Sequence, residues 1–142
     1  MDYNIILFVI ISMLLLYACY TDIVERRISN TITLSVMVLS LISAFLNEGA
    51  ISLTVAGCIL IVGFFLSSVG VIGAGDIKLA SALALGLPSQ AGFDFLLLSG
   101  FVGVPVSLVA WLYYRIRGRG RNASVPYGIA IAGGYFLLFV FS

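Results

Sequence analysis

Residues 73–87 read Gly73-Ala74-Gly75-Asp76-Ile77-Lys78-Leu79-Ala80-Ser81-Ala82-Leu83-Ala84-Leu85-Gly86-Leu87, and whether this stretch crosses a bilayer decides the fold. Its apolar part, 77–87, is too short alone to cover the ~30 Å of hydrocarbon that takes ~20 helical residues. Around it lie five longer apolar segments, at approximately 4–20, 30–46, 51–71, 93–114 and 126–141. If the short segment crosses, the loops after the first, third and fifth segments share one face. That face then holds all seven basic residues, Arg26, Arg27, Lys78, Arg115, Arg117, Arg119 and Arg121. If it does not cross, the last four arginines change sides and the bias vanishes. The excess of Lys and Arg in cytoplasmic loops therefore predicts six crossings, N-terminus outside and basic loops in the cytoplasm. Asp2, Glu48 and Asp94 fall outside, near helix ends.

Composition points the same way. Hydrophobic residues make up 62% of the 142 and charged residues 9%, against roughly a quarter charged in a soluble domain. So few charges cannot coat a globule in water, whereas lipid can face apolar side chains while helices satisfy their own backbone. The expected architecture is an all-α integral membrane bundle of six segments, the fourth short, with residues 1–142 as one polytopic domain. No internal repeat or low-complexity tract interrupts it. Nothing supports nucleic-acid binding, and the expected surroundings are the lipid bilayer. The stretch Leu16-Tyr17-Ala18-Cys19 loosely matches a lipoprotein cleavage site, but no Lys or Arg precedes the first apolar run, so that run is expected to stay as a spanning helix. Cys19 and Cys58 read as small core hydrophobes, with no His and no neighbouring Cys to complete a metal site. Gly57, Gly63, Gly100, Gly103, Gly133 and Gly134 read as close-approach positions between helices.

Chemistry has few groups to use. Without His or a Ser-base dyad, nucleophilic and zinc mechanisms lack their parts. At the cytoplasmic face stand Asp22, Glu25, Asp76, Lys78 and the arginines. Two carboxyls brought within a few ångströms cannot both ionise easily, so one serves as acid while the other activates water. Singly, each has a plain structural reading: Asp22 as a solvated residue past a helix end, Asp76 as a helix N-cap after glycine. For an ionisable residue at the mouth of a membrane helix, however, function is the default. The short crossing is explained if residues 73–76 form irregular backbone dipping into a wet cavity, with Asp76 in it.

Three stretches resemble the type IV prepilin peptidases, membrane aspartic proteases of the GxGD class. Asp22-Ile23-Val24-Glu25-Arg26-Arg27-Ile28-Ser29-Asn30 is similar to the family's first catalytic segment, an Asp followed by basic residues and Ile-Pro-Asn. Gly73-Ala74-Gly75-Asp76-Ile77-Lys78-Leu79 matches the GxGDxKL segment holding the second Asp, and Val125-Pro126-Tyr127-Gly128-Ile129-Ala130 resembles the Pro-Tyr-Gly-Pro-Ala segment that opens the last helix. Ser29 and Ile129 depart from the family by replacing prolines. Other GxGD proteases expect a Pro-Ala-Leu segment that this chain lacks.

The resemblance implies an aspartic endopeptidase of the bacterial or archaeal cytoplasmic membrane that removes leader peptides from prepilins and pseudopilins. Asp22 and Asp76 are its catalytic pair, and no cofactor or metal is implied. Asn30, Gly73, Gly75, Lys78, Pro126, Tyr127 and Gly128 fall at positions expected to shape loops or meet substrate. The two glycines are expected to let backbone approach the peptide, and Lys78 either orients the Asp76 carboxylate or marks the cytoplasmic boundary. With the first apolar run starting near residue 4, the layout looks like the short peptidases of Tad/Flp pili without the N-terminal zinc and methylation domain. Proteolysis is therefore expected and N-methylation is not. Because Asp76 begins a helix and Asp22 follows one, the helix dipoles assign the charged base to Asp76 and the protonated acid to Asp22. The arginines 115–121 are expected to anchor a loop on anionic lipid. A competing reading is a small transporter or channel subunit relaying protons or cations through the aspartates. It expects carboxylates near the midplane and an inverted repeat. A third reading is an inactive assembly factor.

Overall fold

The computed structural model describes residues 3–25, 27–47, 51–70, 72–117 and 127–141. Arg26, Arg119, Arg121, Pro126, Asp2 and Glu48, all named above, lie outside the described residues. The described residues form six helices: α1 (Tyr3–Glu25), α2 (Asn30–Leu46), α3 (Leu53–Ser68), α4 (Ala74–Leu85), α5 (Ser89–Ile116) and α6 (Tyr127–Phe141). Two of the sequence boundaries move in ways that matter. Helix α1 runs on through Asp22, which is inside the helix rather than past its end. Helix α4 starts at Ala74, so Asp76 lies in a regular first turn and only Gly73 before it is extended (φ −67°, ψ 139°).

Local chemistry explains the turns. Ser29 is the N-cap of α2, its Oγ accepting from the Thr31 N–H at 3.2 Å. A residue that departs from the family pattern thus takes up a job that Ser does well. Ser52 caps α3 in the same way, accepting from Val55 N–H at 3.4 Å. Its own N–H donates to the Leu85 carbonyl at 3.3 Å, and its hydroxyl meets Ser89 Oγ at 3.1 Å. Between α3 and α4 the chain reverses through Gly70, whose φ of +79° favours glycine.

These contacts fix an up-and-down arrangement. Asn4 and Asn47 exchange amide hydrogen bonds of 3.2 and 3.1 Å, tying the start of α1 to the end of α2. At the opposite end the start of α6 meets the end of α1, and the starts of α4 and α2 meet. Helix α4 occupies the middle, packed on α2 and α3 and touching α5 and α6. Seven of its twelve residues are buried, among them Leu79, Leu83 and Ala84, the burial on all sides expected of an interior helix. That explains its length: at 1.5 Å per residue it is only about 18 Å long, and its neighbours shield it. Its core partners include Leu15, Val36, Ile59 and Phe95.

The outside is as apolar as the inside. Met13, Leu16, Phe64, Phe65, Phe101 and Leu108 are all exposed. Helix α1 and the 28-residue α5 are long and apolar enough to cross a membrane. Glycines set the closest crossings: a Cβ on Gly86 would stand 2.6 Å from Ser40 Cβ and nearer still to the Ser40 carbonyl oxygen. Gly86→Ala is therefore expected to push α4 off α2 and cost about 1–3 kcal/mol, read as a lower melting temperature in detergent. Gly63, Gly103, Gly133 and Gly134 also meet neighbours, on Ile77, Ala130, Val102 and Ser99. Gly57 and Gly100 do not: a Cβ on either would meet nothing within 4 Å, which corrects the packing role expected of them.

Candidate active site

Asp22 extends the buried stripe of α1 formed by Ile11, Leu15 and Ala18 and is itself 9% exposed. Its Oδ2 accepts a hydrogen bond of 3.1 Å from the backbone N–H of Gly128. Gly128 is the second residue of α6, where helix amides have no partner within their own helix. A carboxylate there meets both a free donor and the positive end of the helix dipole. A Cβ on Gly128 would lie 2.9 Å from that same oxygen, so glycine is what allows the approach.

Asp76 is 6% exposed and stands three residues after the N-cap Gly73. From that position a carboxylate reaches back to the N-cap amide, as in a capping box, and the Gly73 N–H does bond to the Asp76 side chain. The fit is close, for a Cβ on Gly73 would fall 2.7 Å from Oδ2. The other oxygen, Oδ1, is buried with no hydrogen-bond partner. Asp22 and Asp76 lie near enough for their charges to act on each other, and both act on the Cys19 thiol. Cys19 sits three residues before Asp22 on the same face of α1. The half-buried thiol packs against the hydrophobic core, as read for it, whereas Cys58 is exposed and does not take the core role expected of it.

The remaining candidates divide. Asn30 and Lys78 meet each other, with Lys78 Nζ donating to Asn30 Oδ1 at 3.5 Å. Lys78 is exposed, and the Asp76 Oδ1 atom has no partner, so Lys78 does not bind that oxygen. Gly75 faces Ile28 of the α1–α2 turn, where a Cβ would stand 3.2 Å from Ile28 Cβ. The close backbone approach expected of Gly73 and Gly75 is thus made within the chain, by Asp76 and Ile28. The dipole assignment of acid and base also loses its ground, since it counted only each residue's own helix. With α6 pointing its N-terminus at Asp22, both carboxyls face a helix N-terminus.

Sequence reading did not anticipate a groove of about 490 Å³ between α3, α4, α5 and α6. Val62, Ala80, Phe95, Gly100 and Ala130 line it, and Asp76 and Tyr127 stand on its wall. Among the described residues no three His, Cys, Asp or Glu side chains gather as a metal site would require.

Two buried carboxyls, 54 positions apart in sequence, thus stand at one end of a helical bundle, near enough for each charge to act on the other. No curated protein and no solved structure matches the chain. A sequence model of the type IV leader peptidase family matches residues 9–108, which include both aspartates and well over half the chain. The chain belongs to the type IV leader peptidase family.

Proposed function

We propose that the chain is an aspartic endopeptidase of the cytoplasmic membrane that removes the leader from type IV prepilins of the Flp/Tad kind, with Asp22 and Asp76 as the catalytic pair. The observation that carries this reading is the convergence of the two buried carboxyls. One accepts an α6 amide, and the other has an oxygen left without a partner. In the reaction one carboxylate takes a proton from water, whose oxygen adds to the scissile carbonyl. The partner carboxyl gives its proton to the departing amide nitrogen. The tetrahedral intermediate collapses to a new carboxyl and a new amino terminus.

The exposed apolar side chains on α1, α3 and α5 support a lipid setting. The described cations Arg27, Lys78, Arg115 and Arg117 follow or begin helices at the end where the carboxyls lie, which supports a cytoplasmic position for the site. A peptide bond at that surface, between a polar leader and an apolar stretch, is the bond such a site reaches.

Membranes co-expressing the chain with candidate prepilins test this directly, with the pilin N-terminus read by mass spectrometry. Wild type is expected to produce one new N-terminus while the enzyme resists alkaline extraction. No cleavage of any candidate, or cleavage that survives loss of either aspartate, would sink the proposal. In the same assay Lys78→Met is expected to change the rate by less than about tenfold, because an exposed polar contact contributes little. A hundredfold loss would place Lys78 on the substrate or on Asp76.

A further inference from the structure

Three features of the apolar groove bear on what it holds. Among the described residues its walls carry no Lys, Arg or Glu, and Asp76 is the one acid on them. A buried oxygen without a partner, Asp76 Oδ1, belongs to a residue that lines it. Buried polar atoms are normally satisfied, so this orphan marks a place where an incoming group supplies the partner. Finally, Gly100 on α5 lines the groove and leaves open space: nothing among the described residues uses the room its missing side chain provides.

We infer that this groove takes the apolar stretch of the peptide substrate next to the bond being cut, as a helix entering sideways from the bilayer with its backbone against Gly100. The inference rests on the peptidase reading and extends it to the substrate's path. Continuity selects the occupant. Asp76 stands on the groove wall, so an occupant passes beside the carboxyl that the peptidase reading makes catalytic. The charge of the walls selects the flank, since a basic side chain among apolar walls would be left without hydration. The polar flank therefore stays at the surface near Arg27 and Lys78. Small residues let helix backbones approach closely in lipid, and Gly100 offers such a surface outward. At about 490 Å³ the groove is within the usual size of ligand sites.

The test uses a prepilin that wild type cuts. A photo-crosslinking amino acid is placed at Val62 on the groove, or at the exposed Met13 of α1 as a control, in full-length chain carrying Asp76→Asn. Capture of the apolar stretch from Val62 and not from Met13 is expected. Capture of lipid alone, of a second copy of the peptidase, or of the polar leader would overturn the inference. In active enzyme, Gly100→Leu is expected to raise KM at least tenfold. Gly57→Leu, which fills equally open space in a separate groove against α2, should stay within twofold. A Gly100→Leu enzyme with an unchanged melting temperature and wild-type KM would also overturn it. If wild type cuts no prepilin at all, the peptidase reading falls first and this one with it.

Discussion

Asp76→Asn is expected to slow leader cleavage by at least about a thousandfold, Asp22→Asn by a similar factor, and the double variant by little more than either. Positioned acid–base groups contribute about 10²–10⁴-fold each, and groups that act as one unit lose most of their effect when either is removed. The asparagine variants are the informative ones. Asn at 76 retains a side-chain oxygen able to accept from Gly73, so the cap on α4 survives while the titratable group is lost. Asp76→Ala removes both, and should lower the melting temperature as well as the rate. If Asp76 were only a helix cap, Asp76→Asn would cleave nearly as well as wild type. Additive losses in the double variant, each measured from the rate at which the new pilin N-terminus appears, would show two carboxyls working separately.

Much of this arrangement is legible along the chain, and the exceptions share a cause. Helix α2 has the limits 30–46 read from the sequence because its apolar run starts just after Ser29, a good N-cap, and its interior is free of charge, glycine and proline. Polarity at Asp22 suggests an end to the first helix that the structure does not make, since α1 continues to Glu25. The spacing of Asp22 from Ile11, Leu15 and Ala18 already puts it on the core face, and that periodicity was the available signal. What no local pattern gives is its donor, Gly128, which lies 106 residues away. The Gly73-Ala74-Gly75 run looked like irregular backbone because glycine marks turns, yet Gly75 is inside a helix and small because Ile28 leans on it. The groove was invisible for a different reason. An apolar residue facing a groove and one facing outward answer the same solvent requirement in lipid, so Val62 and Met13 carry no mark that separates them. In a soluble protein burial alone would have done so.

The contact between α6 and Asp22 leads to the second large effect. Gly128→Val is expected to lower kcat about a hundredfold with little change in KM, and Gly128→Ala to fall between Val and wild type. An added Cβ would stand 2.9 Å from Asp22 Oδ2 and 3.5 Å from the Asp22 Cβ, so the carboxyl or the first turn of α6 must give way. Either movement stretches the 3.1 Å hydrogen bond that aims the carboxyl. Misplacing a reacting group by about 1 Å costs up to about 10²-fold in rate, and the branched side chain of Val leaves less room to recover than Ala. Gly128 faces the Asp22 carboxyl, proposed as catalytic, rather than the proposed substrate groove, so the expected loss falls on kcat, whereas filling the groove at Gly100 falls on KM. A Gly128→Val enzyme with normal kcat would mean that α6 does not orient Asp22. A loss confined to KM would instead place the start of α6 on the substrate.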